Sequence, residues 1–145
     1  MRYLLDTNVI SEGARPRPDP GVLAWLEART PLECAISVLT LGEIQKGVAL
    51  LPAGKRRDRL EGWLATDLPR HFSGRLLPVD DRVAVAWGNL LAECRRTGRE
   101  PPAIDGLLLA TAAAHDLILV TRNERDCADR GVAILNPWTE VSPRP

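Results

Sequence analysis

Short apolar runs alternate with helix-length stretches of 3.6-residue periodicity, and this alternation constrains the fold more than any other feature. The runs are Arg2–Asp6, Cys34–Ser37, Leu76–Val79, Leu117–Thr121 and Val132–Leu135. Between them the sequence predicts helices over Pro20–Arg29, Thr40–Leu51, Lys55–Phe72, Asp81–Arg96, Pro102–His115 and, briefly, Asn123–Ala128. Asp19 is placed to cap the first of these with Pro20 at its first position, and Pro52 stops the second. Leu60, Trp63, Leu64 and Leu68 mark one apolar helix face; Val83, Ala86, Trp87, Leu90, Leu91 and Cys94 mark another. Strands that alternate with helices predict an α/β fold, a mostly parallel central sheet of about five strands with helices on both faces. A chain of 145 residues is long enough to bury its own core as one domain. The expected boundaries are a domain over 1–139 and a C-terminal tail over 140–145, ending in Ser142-Pro143-Arg144-Pro145. The Pro-rich stretch Arg15–Pro20 reads as a loop inside the domain.

Composition mainly excludes. The formal net charge is zero, so overall charge predicts no nucleic-acid partner. The kind of charge is more suggestive, 17 Arg against 2 Lys, because guanidinium forks pair with phosphate in two-toothed fashion; base composition favouring Arg codons is the plainer explanation. Cys34, Cys94 and Cys127 are odd in number and widely spaced, which indicates neither a disulfide framework nor a zinc site and fits a reducing compartment. Asp6 and Glu12 interrupt the start before any signal-peptide core forms, and no apolar run approaches the ~18 residues of a membrane span. A soluble, cytoplasmic protein is expected.

The chemistry lies in acidic residues at element ends. Asp6 closes the first apolar run, where open α/β sheets place their ligands; with Thr7 and Asn8 it also fits an Asx turn. Glu43 lies one turn into a helix. Thr40-Leu41-Gly42-Glu43 fits a capping box, and the competing reading turns Glu43 toward the crevice with Gly42 leaving room for a ligand. Asp105 is the only ionisable residue between Ala103 and Ala114. A carboxylate on a helix apolar nearly all round is costly unless paired or metal-bound, though a place in the first turn softens the cost. Thr121-Arg122-Asn123 closes a second apolar run; Asn123 fits an N-cap, and Asp126 lies one turn on. Oxygen ligands gathered in this way suit Mg²⁺ or Mn²⁺ rather than zinc. His71 and His115 are not spaced as a metal pair and read as ordinary surface or helix-end residues.

Five stretches carry a family resemblance: Leu5-Asp6-Thr7-Asn8-Val9-Ile10-Ser11-Glu12, Ser37–Glu43, Asp105–Ala112, Val120-Thr121-Arg122-Asn123 and Asn136-Pro137-Trp138. Each is weak alone. Their order and spacing over residues 1 to about 138 resemble the PIN-domain ribonucleases, most closely the VapC toxins of type II toxin–antitoxin systems and their FitB-like relatives. By position, the resemblance implies that Asp6, Glu43 and Asp105 are the core acidic residues and Thr121 the supporting hydroxyl. The fourth acidic position falls at Asn123 or Asp126, and Asn123 can offer an oxygen but no charge. The implied activity is that of an Mg²⁺-dependent endoribonuclease, with Mn²⁺ able to substitute, in which an activated water attacks the phosphodiester and leaves a 5′-phosphate and a 3′-hydroxyl. Implied partners are RNA, a cognate antitoxin and, in a homodimer or hetero-oligomer, further chains; no membrane is involved. Arg122, Lys55 and Arg56 are candidate RNA contacts, with Arg95, Arg96 and Arg99 as other basic positions, and Ile44, Val48, Leu50, Leu51 and Trp63 are candidate apolar surface for the antitoxin.

Other classes fit less well. A haloacid-dehalogenase-type phosphohydrolase needs a second Asp two residues after the first, and that position is Asn8. A response-regulator receiver needs a Lys at a late strand end, and Lys46 and Lys55 both lie in the first half. The alternative outside enzymes is a PIN-fold binding module with weak or no catalysis, supported by the neutral Asn123.

Overall fold

Strand β1 (Tyr3–Leu5) occupies the middle of the sheet in the computed structural model, which describes residues 1–139. The expected tail, 140–145, lies outside the described residues. The other strands are β2 (Cys34–Ser37), β3 (Leu76–Leu77), β4 (Ile118–Val120) and β5 (Ile134–Leu135), and all pair in parallel in the order β3-β2-β1-β4-β5. Both faces are buried, as a parallel sheet requires. Tyr3, Leu5, Cys34, Ile36, Val120 and Leu135 point into one core, and their neighbours Leu4, Ala35, Leu119 and Ile134 into the other. This is the period of two that a strand imposes.

The first core is covered by α1 (Thr7–Gly13), α2 (Pro20–Glu27), the π turn Trp63–Asp67 that continues α4 (Lys55–Gly62), and α5 (Leu68–His71), through Val9, Val22, Trp25, Leu64 and Leu68 among others. The second is covered by α7 (Ala103–Ala114) and the short α8 (Glu124–Cys127), with α6 (Asp81–Arg96) packed against α7. Helix α3 (Val38–Ala49) follows β2 and touches both cores, through Leu39 on one side and Leu41 and Ile44 on the other. Among the described residues no helix is long and apolar enough to cross a membrane, and Cys34, Cys94 and Cys127 are buried free thiols.

Three differences from the sequence expectations have physical causes. Helix α1 was not expected. Its residues Thr7-Asn8-Val9-Ile10-Ser11-Glu12-Gly13 are weak helix formers, and it exists because Val9 is buried in the sheet's core. Helix α3 starts at Val38, two residues before Thr40. Its N-cap is Ser37, whose hydroxyl accepts the Leu39 N–H at 3.0 Å, so Thr40 and Glu43 form no capping box. The helix expected over Lys55–Phe72 ends at His71 and widens into a π turn at Trp63–Asp67, just before Pro69, whose missing N–H cannot continue an α ladder. Asp19 caps α2 with Pro20 at its first position as expected, and α6 takes Asp80 as its cap.

The strand order reverses at β1. One connection leads from β1 outward to β2 and β3, and the later strands β4 and β5 add on the opposite side. A crevice therefore opens between β1 and β4 at their carboxyl ends, the place where doubly wound sheets bind ligands.

Candidate active site

Asp6 stands at that switch point. It ends β1 and caps α1: its N–H donates to the Val120 carbonyl of β4 at 2.9 Å, and Oδ1 accepts the Thr7 N–H at 2.7 Å. Thr121, the first residue beyond β4, is fully buried. Its Oγ1 donates to Asp6 Oδ2 at 2.7 Å and accepts the Asn123 N–H at 3.0 Å. Asn8 adds a weaker bridge, Nδ2 to Asp6 Oδ2 at 3.4 Å, while its Oδ1 accepts the Arg122 N–H at 3.4 Å.

The other carboxylates join through short polar side chains. The Thr7 hydroxyl donates to Glu43 Oε1 at 2.6 Å, so α1 positions a residue of α3. Asp105, half-buried in the first turn of α7, accepts from Asn123 Nδ2 at 3.0 Å, and the same amide donates to Asp126 Oδ2 at 3.0 Å. Asn123 precedes α8 but makes no side-chain cap; its amide is given to the two carboxylates instead. One network thus brings together Asp6, Glu43, Asp105, Thr121, Asn123 and Asp126, drawn from four separate stretches of the chain.

The cluster carries uncompensated negative charge. Burial, then the carboxylates of Asp6, Asp126 and Glu43, push Asp105 up to about 6, with the Asn123 hydrogen bond partly opposing. Asp6 is also raised, foremost by burial, against the lowering effect of its hydrogen bonds from Thr121 and Thr7. The ion pairs among the described residues, Glu12–Arg15, Arg57–Glu61, Glu93–Arg96 and Arg95–Glu100, all lie elsewhere. Like charges gathered in a half-buried crevice without a cationic side chain fit a hard cation. Among the described residues no group of three Asp, Glu, His or Cys side chains is arranged to hold a metal ion by itself; the carboxylates are linked through Thr7, Thr121 and Asn123. The Asn123 amide turns its N–H₂ toward Asp105 and Asp126.

The basic residues are placed differently. Arg122 is exposed beside the cluster, its guanidinium 5.1 Å from the Trp138 ring centroid. Lys55 and Arg56 are exposed at the start of α4, beyond the 12-residue helix α3, roughly 18 Å along its axis from the end of β2. They are not brought into the cluster. Sequence reasoning treated Thr7 and Asn8 only as turn residues; their short polar side chains directly after the strand were the available signal. It also passed over Gly106, where an added Cβ would stand 3.3 Å from Pro101 Cγ and 3.4 Å from Trp87 Nε1, so α6 and α7 close tightly beside Asp105. Gly42 is exposed with open space about it, and it lines, with Thr7, Leu39, Glu43, Lys46 and Ile104, a groove of about 620 Å³ that leads to the cluster.

Removing the Asn123 bridge tests this geometry. Asn123→Ala is expected to weaken Mn²⁺ binding about tenfold, the usual effect of losing a group that orients metal ligands, and Asn123→Asp to strengthen it. Titration calorimetry with Mn²⁺ measures both.

Residues 3–130 match the family model described as PIN domain. The chain is 39% identical over 135 residues to toxin FitB of Neisseria gonorrhoeae, covering 93% of this chain and 97% of that one. It is 36% identical over 135 residues to VapC ribonuclease Y4jK of Sinorhizobium fredii, covering 93% and 96%. Among solved structures, a chain of FitAcB from Neisseria gonorrhoeae superposes with a TM-score of 0.90 at 38% identity, over 95% of this chain and 99% of that one. With Asp6 and Thr121 at the β1/β4 switch point and these matches running over nearly its whole length, the chain belongs to the PIN-domain family, in the branch of the FitB and VapC toxins.

Proposed function

We propose that this protein is a divalent-metal-dependent endoribonuclease and the toxin of a toxin–antitoxin pair. The observation that carries the reading is the meeting of Asp6, Glu43, Asp105 and Asp126 at the switch point, with no ion pair to any of them among the described residues. The names of its relatives, a VapC ribonuclease and a FitB toxin, support the same reading. Asp6, Asp105, Glu43 and Asp126 would hold Mg²⁺, or Mn²⁺ in its place, through direct and water-bridged oxygens. A cation held there supplies the Lewis acidity that activates a water and offsets phosphate charge. The protein's own part is preorganisation. Thr121 fixes the Asp6 carboxylate, Thr7 fixes Glu43, and Asn123 holds Asp105 and Asp126 apart by a fixed span. Water attacks the phosphorus in line with the leaving 3′-oxygen, breaking the P–O3′ bond without help from the 2′-oxygen, so the products are a 5′-phosphate and a 3′-hydroxyl. The groove lined by Thr7, Glu43 and Lys46 offers room for the RNA, and Arg122, with Lys55 and Arg56 further off, offers cations for its backbone.

The antitoxin role follows from the company its relatives keep: solved relatives are the FitAcB and FitAB assemblies. The apolar surface differs from the sequence expectation. Val48 is 4% exposed, and Ile44 packs against the first core, so neither offers a surface. Leu50 is exposed, and Trp63 lines an apolar hollow of about 440 Å³ with Ile10, Leu26, Leu68 and Phe72, set apart from the carboxylates. This hollow is the surface we assign to an antitoxin segment. A non-catalytic binding module is disfavoured because Asp126 reaches the network and supplies the charge that Asn123 lacks.

The test is cleavage of end-labelled RNA by purified protein in Mg²⁺, Mn²⁺ or EDTA, alongside Asp6→Asn. Cleavage that requires the metal and Asp6 and leaves 5′-phosphates is expected. A folded wild-type protein, free of antitoxin, that cleaves no RNA with either metal would falsify the enzyme reading.

A further inference from the structure

We infer that Trp138 is a positioning residue, and that the Asn136-Pro137-Trp138 turn exists to hold Arg122 as an anchor for an RNA phosphate beside the acidic crevice. The inference rests on the nuclease reading for its ligand. It uses a motif to which the acidic network gives no role.

The chain builds this arrangement in steps. Strand β5 pairs with β4 so that the Thr121 N–H donates to the Leu135 carbonyl at 3.0 Å, which sets the residues after β5 beside Thr121-Arg122-Asn123. The turn is then pinned. Asn136 is buried, its Oδ1 accepts the Trp138 N–H at 3.0 Å, and its carbonyl accepts the Thr139 N–H at 3.2 Å. The Pro137 carbonyl lies so near α2 that a Cβ on Gly21 would stand 3.1 Å from it. One side of Trp138 packs on the first core, and the Arg122 guanidinium lies over its ring at 5.1 Å. The Arg122 backbone is held as well, by its N–H to Asn8 Oδ1.

The consequence is electrostatic. Thr121 and Asn123, on either side of Arg122, bond to Asp6 and Asp105. A free arginine here would fold back onto those carboxylates and compete with a metal. Held against an indole face, the cation is kept off the acids, while its N–H donors remain at the ring's edge for a phosphate. The charge the crevice lacks is thereby presented at its rim, where an RNA backbone must pass.

The experiment measures binding of a single-stranded RNA oligonucleotide across a salt series. It uses an Asp105→Asn background, so that nothing is cleaved, with Arg122→Ala, Trp138→Leu, Trp138→Phe and the Arg122→Ala/Trp138→Leu pair. Arg122→Ala is expected to lower the salt slope by about 0.7, the share of one phosphate contact on a single strand. Trp138→Leu keeps the apolar bulk and loses the ring face; it is expected to weaken binding about threefold, the scale of an exposed cation–π contact. Trp138→Phe should retain most of the affinity, and the double variant should bind no worse than Arg122→Ala alone. Additive losses, or an unchanged salt slope in Arg122→Ala, overturn the inference. If Trp138→Leu fails to fold, Trp138→Met, which also lacks a ring face, decides by the same additivity with its Arg122→Ala double variant. Wild-type cleavage of the same RNA separates the two readings. Cleavage with additive binding losses removes the anchor and leaves the nuclease. Coupled binding without metal-dependent cleavage leaves the anchor and removes the nuclease.

Discussion

Replacing Asp105 by Asn is expected to cut RNA cleavage by about 10²–10³-fold, the scale on which one preorganised electrostatic group is lost, and to make the metal-free protein more stable at pH 8. The two effects have one cause. Burial and the carboxylates of Asp6, Asp126 and Glu43 raise Asp105 from an ordinary 3.8 to about 6. A carboxyl raised on folding contributes stability that is fully present below pH ~4 and is lost as pH climbs through about 6. A rise from 3.8 to about 6 corresponds to roughly 3 kcal/mol, and screening of a half-exposed group reduces this to about 1 kcal/mol. The metal-free wild type should therefore melt about 3 °C below Asp105→Asn at pH 8 and level with it at pH 4. Saturating Mg²⁺ should raise the wild type and leave the variant nearly unmoved, because a ligand that binds only the folded state stabilises it by mass action. Melting curves at two pH values with and without Mg²⁺ give the answer. A variant that melts lower than wild type at pH 8 without metal would show that Asp105 is a structural partner, not a strained ligand.

What could be read from the sequence depended on whether a signal was local. The strands were legible because Leu4, Ala35, Leu119 and Ile134 sit in short apolar runs that only a sheet buried on both faces accommodates. Asp105 was legible because it is a lone charge in an apolar helix. Helix α1 was not, since Thr7, Asn8 and Ser11 prefer turns, and the burial that overrides them comes from residues far along the chain. Glu43 was ambiguous for a related reason. The Thr40–Glu43 spacing mimics a capping box, and only the placement of Ser37 as the true cap frees Glu43 for the Thr7 hydroxyl. The choice between Asn123 and Asp126 could not be made from spacing, because one amide reaches both carboxylates. Sequence reasoning singled out the acids together with Thr121 and Asn123, and passed over Thr7 and Asn8, which bond to Glu43 and Asp6. A carboxylate in an apolar setting is anomalous, whereas a threonine or asparagine after a strand is ordinary.

Thr121→Val should be the most damaging conservative change in the network. The side chain is nearly isosteric and the site is fully buried, so the comparison isolates the hydroxyl. That hydroxyl is both donor and acceptor, giving its hydrogen to Asp6 Oδ2 at 2.7 Å and taking the Asn123 N–H at 3.0 Å. Valine leaves a buried carboxylate without its short hydrogen bond and a backbone N–H without an acceptor. Each unmet group costs about 1–3 kcal/mol, so a loss of about 2 kcal/mol and about 6 °C in melting temperature is expected. The Asp6 carboxyl, already raised by burial, should rise further once this lowering influence is gone, weakening its hold on a cation at neutral pH. Thr121→Ser keeps the hydroxyl and gives up only a methyl group, about 1 kcal/mol of packing. Serine should therefore retain Mn²⁺ affinity and cleavage while valine loses both, and calorimetry beside a cleavage assay distinguishes them. If valine binds Mn²⁺ as tightly as serine, the hydroxyl serves the fold alone, and the organisation of Asp6 must be credited to its backbone hydrogen bonds with Val120 and Thr7.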